Sequence, residues 1–147
     1  MIKIRAYEHT DRYIFSKLVN IFYEERKMSP ISDDQISETL AFFNAFPQCG
    51  KIFFILYDEE IVGYAIVCNL WKNRFSKIFY LIDELYIDKN YKKYRLEVNL
   101  IDFLVKSEKI YGISIRFDQL NSSSKKIFKT VKFKKDSNGL YLKILEM

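Results

Sequence analysis

A pair of acidic residues interrupts an apolar segment of the sequence. Asp83 and Glu84 lie within residues 78–87 (IFYLIDELYI), whose other members are aliphatic or aromatic. Alternation along a strand would place the two carboxylates on opposite faces of a sheet. Because a buried carboxylate needs partners, acids in such a strand indicate a polar cavity or an open sheet edge. The structural alternative is a bulge with one exposed and one salt-bridged acid.

The basic residues raise the question of an anionic partner. The net charge is +5, and lysine recurs at positions 125, 126, 129, 132, 134 and 135. A solvated helix face and turn explains this run, and an anion-binding rim is the alternative. Lys, Ile, Asn, Phe and Tyr are abundant whereas Ala, Gly and Pro are scarce, which is the skew that an AT-rich genome gives. The positive net charge is therefore weak evidence for nucleic-acid binding, and we expect no nucleic-acid partner.

Nothing in the sequence indicates a metal site or a membrane segment. The two cysteines, Cys49 and Cys68, lack the paired spacing of a zinc site and are too few for a disulfide framework. The single histidine, His9, has no Cys or His neighbour. No apolar run approaches the roughly 20 residues of a membrane span, and residues 1–10 lack the apolar core of a signal peptide. We expect a cytoplasmic protein that binds neither metal nor membrane.

The elements that must position these residues form one α/β domain over residues 1–147. A chain of 147 residues that is 49% hydrophobic suits a single core. The apolar pattern predicts strands over residues 2–7, 51–57, 61–69, 78–87, 113–117 and 140–145. It predicts helices over residues 11–26, from the capping box Ser32–Gln35 to Pro47, over 95–108 and over 122–131. This order predicts a mixed, mostly antiparallel twisted sheet of six or seven strands, flanked by about four helices.

The element order and four segments resemble the GCN5-related N-acetyltransferases, the GNAT superfamily. Residues 61–65 (IVGYA) look like the third strand of that family, and residues 80–87 (YLIDELYI) look like the fourth strand of its spermidine/spermine branch. Residues 91–97 (YKKYRLE) fall where the family carries its acetyl-CoA signature, R/Q-x-x-G-x-G/A. Residues 121–133 fall where it has N-x-x-A-x-x-F-Y-x-x-x-G-F. The resemblance covers almost the whole chain.

The resemblance implies an N-acetyltransferase that transfers an acetyl group directly from acetyl-CoA to a primary amine. Asp83 or Glu84 would accept the proton of the amine, Asp83 being at the usual position. The acceptor would lie near Glu24 and Glu25, between the first two helices, although ordinary helix-end charge also explains these acids. A homodimer is compatible with the family. The implied cofactor-binding residues are Leu85, Tyr86, Ile87, Lys92, Lys93, Tyr94, Arg95, Leu96, Glu97, Asn121 and Phe128.

Several positions depart from the family pattern. Arg95 and Glu97 occupy the two glycine positions of the signature, and Glu97 puts a carboxylate near the expected pyrophosphate. Lys92 keeps a positive charge at the first signature position. Phe128 stands where a tyrosine would protonate the departing thiolate. We therefore expect acetyl-CoA binding that is weak and salt-sensitive.

Three interpretations stay open at this point. The first is an active acyltransferase with a modified phosphate loop, whose acceptor is a small amine or a protein amine. The second is a degenerate GNAT fold that has lost acetyl-CoA and acts as a binding module. The third is an anion or nucleic-acid binder that uses the lysine face. Acetyl-CoA binding separates the first from the others, and a strong salt dependence of nucleic-acid binding would single out the third.

Overall fold

The computed structural model describes residues 1–106, 110–116, 120–135 and 140–145. Within these residues the strands are β1 Ile2–Ala6, β2 Gly50–Tyr57, β3 Glu60–Lys72, β4 Lys77–Ile87, β5 Gly112–Arg116, β6 Lys134–Lys135 and β7 Leu140–Ile144. The α-helices are α1 Arg12–Glu25, α2 Asp33–Ala45, α3 Leu96–Val105 and α4 Ser122–Thr130, with short 3₁₀ helices at His9–Asp11, Pro47–Cys49 and Lys89–Tyr94. The turn predicted at residues 136–139 and Phe117 of the predicted fifth strand lie outside the described residues.

The strands form one sheet in the order β1-β2-β3-β4-β5-β7-β6. Strands β1 to β4 pair antiparallel in sequence order, β4 and β5 pair parallel, and β7 pairs antiparallel with both β5 and β6. The prediction of a mostly antiparallel mixed sheet with helices around it is confirmed. Among the strands that the structure describes, the two-residue β6 was not predicted, because two exposed lysines carry no apolar periodicity.

Apolar cores lie on both faces of the sheet, since alternate residues of β2 and β3 belong to different clusters. Phe54, Tyr64 and Ile66 pack with α1 and α2, whereas Ile55 and Ala65 pack with α3 and α4. In α3 the apolar spacing of the sequence coincides with the buried side chains, which are Leu96, Leu100, Ile101 and Leu104. Helices on both faces are what the predicted element order requires.

The start of α2 is also where the sequence predicts it. The Ser32 hydroxyl accepts a hydrogen bond from the Gln35 backbone N–H at 3.1 Å, and the Gln35 side chain accepts one from the Ser32 N–H at 2.8 Å. The predicted capping box is therefore confirmed.

In the described part of the chain, no helix is long and apolar enough to cross a membrane. The lysine run lies on and after α4, where its members are exposed apart from the partly buried Lys125.

Strand β4 changes its pairing at the acidic residues. On the β3 side Ile66 pairs with Glu84 and Val67 with Ile82, so Asp83 is the extra residue of a β-bulge. On the β5 side the pairing ends at Ile82. Beyond this point β4 has no strand partner on that side within the described residues, and the sheet is open.

Candidate active site

Glu84 lies at the point where β4 and β5 separate. The Tyr23 hydroxyl of α1 donates a hydrogen bond to Glu84 Oε2 at 2.7 Å, and the Tyr64 hydroxyl of β3 donates one to Oε1 at 2.8 Å. Burial raises the pKa of Glu84 above its ordinary value, and the two tyrosine donors oppose that shift. A partly desolvated carboxylate with a raised pKa is suited to accept a proton.

Asp83 has a different environment from its neighbour. Its side chain is about half exposed, and Oδ1 lies 3.6 Å from Nε of Arg116, which is also exposed. Exposed ion pairs of this kind stabilise a fold little. The bulge overrides the alternation expected from the sequence, and both acids line the same cavity.

The two tyrosines are residues that the sequence analysis did not select. Burial and the neighbouring Glu84 raise the pKa of Tyr23 and of Tyr64, so both stay protonated and act as donors. Tyr64 is two residues from Ile66, the β3 partner of Glu84, and therefore faces the same side of the sheet. This relation becomes visible only once the register of β3 and β4 is known.

A cavity of about 530 Å³ lies between α1, α2 and this part of the sheet, and we call it the α1–α2 cavity. Its walls combine acidic and polar groups with aromatic rings, notably Tyr23, Gln35, Glu38, Phe42, Asp83 and Glu84. Cys68 also lines it, and burial raises the pKa of that thiol to about 11. Glu38 is an acid of this wall that the sequence analysis missed, because it sits mid-helix without any local signal.

The predicted acceptor residues lie elsewhere. Glu24 is exposed at the end of α1, and Glu25 lines a second cavity, which also contains Leu85, the residue after Glu84. This second cavity has a volume of about 380 Å³, and we call it the β4–α3 cleft. It is lined by Glu25, Arg26, Leu85, Tyr86, Ile87, Lys92, Glu97, Leu120, Asn121 and Ser124. Six of the predicted cofactor-binding residues thus meet in one cleft.

Three predicted cofactor-binding residues of the basic loop turn away from this cleft. The Lys93 ammonium lies 5.2 Å from the centroid of the Tyr94 ring, and that ring stacks on Tyr57 with centroids 4.4 Å apart. Arg95 donates a hydrogen bond to the Thr130 hydroxyl at 3.0 Å. Its backbone is left-handed (φ 53°, ψ 49°), which is the conformation that glycine adopts most readily. Arg95 thus keeps the backbone geometry of a glycine position without directing its charge into the cleft.

Two further predicted residues, Leu96 and Phe128, are core residues. Both are fully buried in the cluster beneath α3 and α4, and the Phe128 ring meets Phe133 edge-on with centroids 5.0 Å apart. Neither side chain lines the β4–α3 cleft. The position where the family carries its tyrosine is therefore a packing position in this chain.

Glu97 is the most deeply buried charged residue of the cleft. It lies in the first turn of α3 and is 3% exposed, and Ser124 Oγ donates a hydrogen bond to its Oε2 at 2.7 Å. Its other oxygen, Oε1, is buried without a hydrogen-bond partner among the described residues. A carboxylate in the first turn interacts favourably with the helix dipole, so Glu97 supplies the negative charge that this helix end favours.

The β4–α3 cleft is suited to the pantetheine arm of acetyl-CoA but not to its pyrophosphate. The open edge of β4 at Leu85–Ile87 and the Asn121 side chain offer polar groups along which a pantetheine arm can lie. The charged residues lining the cleft are two acids, Glu25 and Glu97, and two bases, Arg26 and Lys92, and their charges cancel. A pyrophosphate would therefore meet no excess of positive charge and would approach a buried carboxylate. Within the described residues, no group of three or more Cys, His, Asp or Glu side chains is placed to hold a metal ion.

Comparisons with known proteins identify the fold. No protein-family model matches the sequence, and no curated protein is significantly similar to it. Among solved structures, an acetyltransferase of the GNAT family from Staphylococcus aureus Mu50 is 18% identical with a TM-score of 0.76, over 99% of this chain and 100% of that one.

Two further structures widen the comparison. Glucosamine-6-phosphate N-acetyltransferase from Arabidopsis thaliana is 16% identical with a TM-score of 0.70, over 100% of this chain and 96% of that one. A transcriptional regulator from Bacillus halodurans C-125 is 14% identical with a TM-score of 0.74, over 100% of this chain and 99% of that one. At such identities the likeness concerns the fold alone, and this chain has the fold of the GNAT acetyltransferases.

Proposed function

We propose that this protein is an N-acetyltransferase that transfers an acetyl group from an acetyl thioester to a primary amine. The observation that carries the proposal is the position of Glu84, where β4 and β5 separate. Asp83 and Glu84 line the α1–α2 cavity, and the next residue, Leu85, begins the β4–α3 cleft. An amine in the first cavity and a thioester in the second would therefore meet beside this carboxylate. The shared fold with acetyltransferases supports the same conclusion.

Glu84 is our candidate for the general base. An amine that is protonated in solution must lose a proton before it can attack a carbonyl carbon, and Glu84 accepts that proton directly or through a water molecule. Each carboxylate oxygen has two acceptor sites. The hydrogen bonds from Tyr23 and Tyr64 use one site on each oxygen and fix the orientation of the group. The remaining sites are available to the amine.

Asp83 has a supporting role in this proposal. Its half-exposed carboxylate adds negative charge to the α1–α2 cavity, as does Glu38 on α2. A cationic amine is attracted to such a wall before it loses its proton. The acetyl thioester supplies the carbonyl carbon that the amine attacks, and acetyl-CoA is the thioester that the family resemblance implies.

A binding module without catalysis is the alternative, and two observations favour it. Phe128 provides no hydroxyl to protonate a departing thiolate, and Glu97 opposes a pyrophosphate. The missing hydroxyl does not exclude catalysis, because a general acid contributes only about 10²–10⁴-fold.

The test is product formation. We expect the wild-type protein to release thiol from acetyl-CoA or acetyl-pantetheine when a primary amine is present, and to yield the acetylated amine by mass spectrometry. The amines are a short alkylamine, phenethylamine, spermidine and a lysine-containing peptide. Binding of a thioester without turnover of any of these amines would favour the binding module instead.

A further inference from the structure

We propose that the β4–α3 cleft recognises the amide-bearing arm of its thioester donor through Glu97 and discriminates against a pyrophosphate. The preferred donor is then an acyl-pantetheine-type thioester without a nucleotide. This inference rests on the proposed function, because it takes the ligand of the cleft to be an acyl thioester.

The first argument is the unpartnered oxygen of Glu97. The side chain lines the cleft and is 97% buried, Oε2 is bound by Ser124, and Oε1 has no partner among the described residues. A buried carboxylate oxygen that lacks a donor is unfavourable. A ligand that carries an N–H or O–H group can satisfy this oxygen, and the pantetheine arm carries both. A phosphate oxygen at neutral pH offers only acceptors and would leave Oε1 unsatisfied.

The second argument is the charge balance of the cleft. Four basic side chains lie between β4 and α3, namely Lys89, Lys92, Lys93 and Arg95, and only Lys92 lines the cleft. Lys93 contacts Tyr94, and Arg95 is bound to Thr130. Lys92 and Arg26 are balanced by Glu97 and Glu25, so the cleft offers a pyrophosphate no net attraction. A neutral arm pays no such electrostatic penalty.

The third argument is that Glu97 is held in place. Its hydrogen bond to Ser124 joins the first turn of α3 to the first turn of α4, and both residues line the cleft. The carboxylate also interacts favourably with the N-terminus of α3. Turning away to admit a pyrophosphate would break both interactions, so the carboxylate stays where the donor must pass.

The test is calorimetric titration with acetyl-pantetheine and with acetyl-CoA. The proteins are the wild type, Glu97→Gln, Glu97→Gly and, as a control, Glu24→Gln at an exposed acid outside the cleft. We expect the wild type to bind acetyl-pantetheine at least as tightly as acetyl-CoA. Loss of a hydrogen bond to a charged group corresponds to about tenfold or more in Kd. Glu97→Gly should therefore raise the Kd for acetyl-pantetheine by about that factor.

The same substitution should shift the preference towards acetyl-CoA, because it removes both the charge and the side chain that oppose the pyrophosphate. Glu97→Gln keeps an acceptor oxygen without the charge. It should therefore lower the Kd for acetyl-CoA and leave the Kd for acetyl-pantetheine largely unchanged. Glu24→Gln should change neither Kd. The proposal is overturned if the wild type prefers acetyl-CoA about tenfold or more, or if Glu97→Gly leaves the ratio of the two Kd values unchanged. If no thioester binds the wild type or Glu97→Gly, the proposed function fails together with this inference.

Discussion

At the scale of single residues, Glu84 combines two opposing influences. Burial disfavours its charged form, and the hydroxyls of Tyr23 and Tyr64 stabilise that form. The balance leaves the pKa of Glu84 above the ordinary value of about 4.3 for a glutamate. A base of this kind is more basic than an exposed carboxylate.

The pH profile provides a prediction for this residue. With a saturating thioester, kcat/KM for the amine should fall on the acid side as Glu84 becomes protonated, at a pH above about 4.3. Tyr23→Phe removes a donor that lowers the pKa of Glu84, so this acidic limb should move to higher pH. Tyr13→Phe, at an exposed position of the same helix, is the matched control and should leave the limb unchanged. If the acidic limb of Tyr23→Phe lies at the same pH as that of the wild type, the limb does not report the protonation of Glu84 and the prediction is wrong.

Asp83 should affect binding more than chemistry. It is half exposed and its ion pair with Arg116 is weak, so Asp83→Asn should raise KM for a cationic amine several-fold through lost attraction. The value of kcat should change by less than about tenfold. Steady-state kinetics with spermidine and with phenethylamine measure both quantities. If Asp83→Asn instead lowers kcat by about 10²–10⁴-fold, which is the loss expected for a general base, Asp83 rather than Glu84 is the base.

At the scale of elements, the local signals in the sequence predicted the four α-helices and six of the seven strands that the structure describes. The capping box at Ser32 begins α2, and the apolar spacing of α3 gives its buried face. The bulge at Asp83 could not be predicted in this way, because it depends on the register between β3 and β4. The same applies to Tyr23 and Tyr64, which reach Glu84 from 61 and 20 residues away in the sequence.

The junction of β1 and α1 supplies a stability prediction. Arg5 donates to Asp11 Oδ2 at 2.7 Å and to Oδ1 at 3.0 Å, and the Glu8 backbone N–H donates to Oδ2 at 2.8 Å. The hydrogen bond from Arg5 holds the pKa of Asp11 below its usual range. Asp11→Asn should therefore lower the free energy of unfolding at pH 7 by about 1.5–3 kcal/mol in urea denaturation.

The pH dependence of this contribution has a definite sign. Since the folded-state pKa of Asp11 is lowered, its stabilisation is fully present above the unfolded value of about 3.9 and is lost as the pH falls through the folded value. The difference between wild type and Asp11→Asn should shrink on acidification. Asp102→Asn, at an exposed position of α3, is the control. A difference that is the same at pH 7 and well below the folded pKa would contradict the assignment.

At the scale of the whole molecule, two cavities with different properties lie near the opening of the sheet where β4 and β5 separate. The α1–α2 cavity has an acidic and aromatic wall, whereas the β4–α3 cleft has balanced charges and an open strand edge. The sequence correctly predicted the sheet that creates this opening. It did not predict which charges enter the cleft, because the directions of Lys93 and Arg95 are set by contacts with Tyr94 and Thr130.

The central claim is that Glu84 accepts the proton of an amine during acetyl transfer, and its most direct test is the rate of acetylated-amine formation by Glu84→Gln. Mass spectrometry measures this rate with acetyl-pantetheine and acetyl-CoA as donors, and thermal denaturation verifies that the variant is folded. We predict that the wild type forms the acetylated amine and that kcat/KM of Glu84→Gln is lower by about 10²–10⁴-fold. A folded Glu84→Gln protein that acetylates the amine as fast as the wild type would contradict the account.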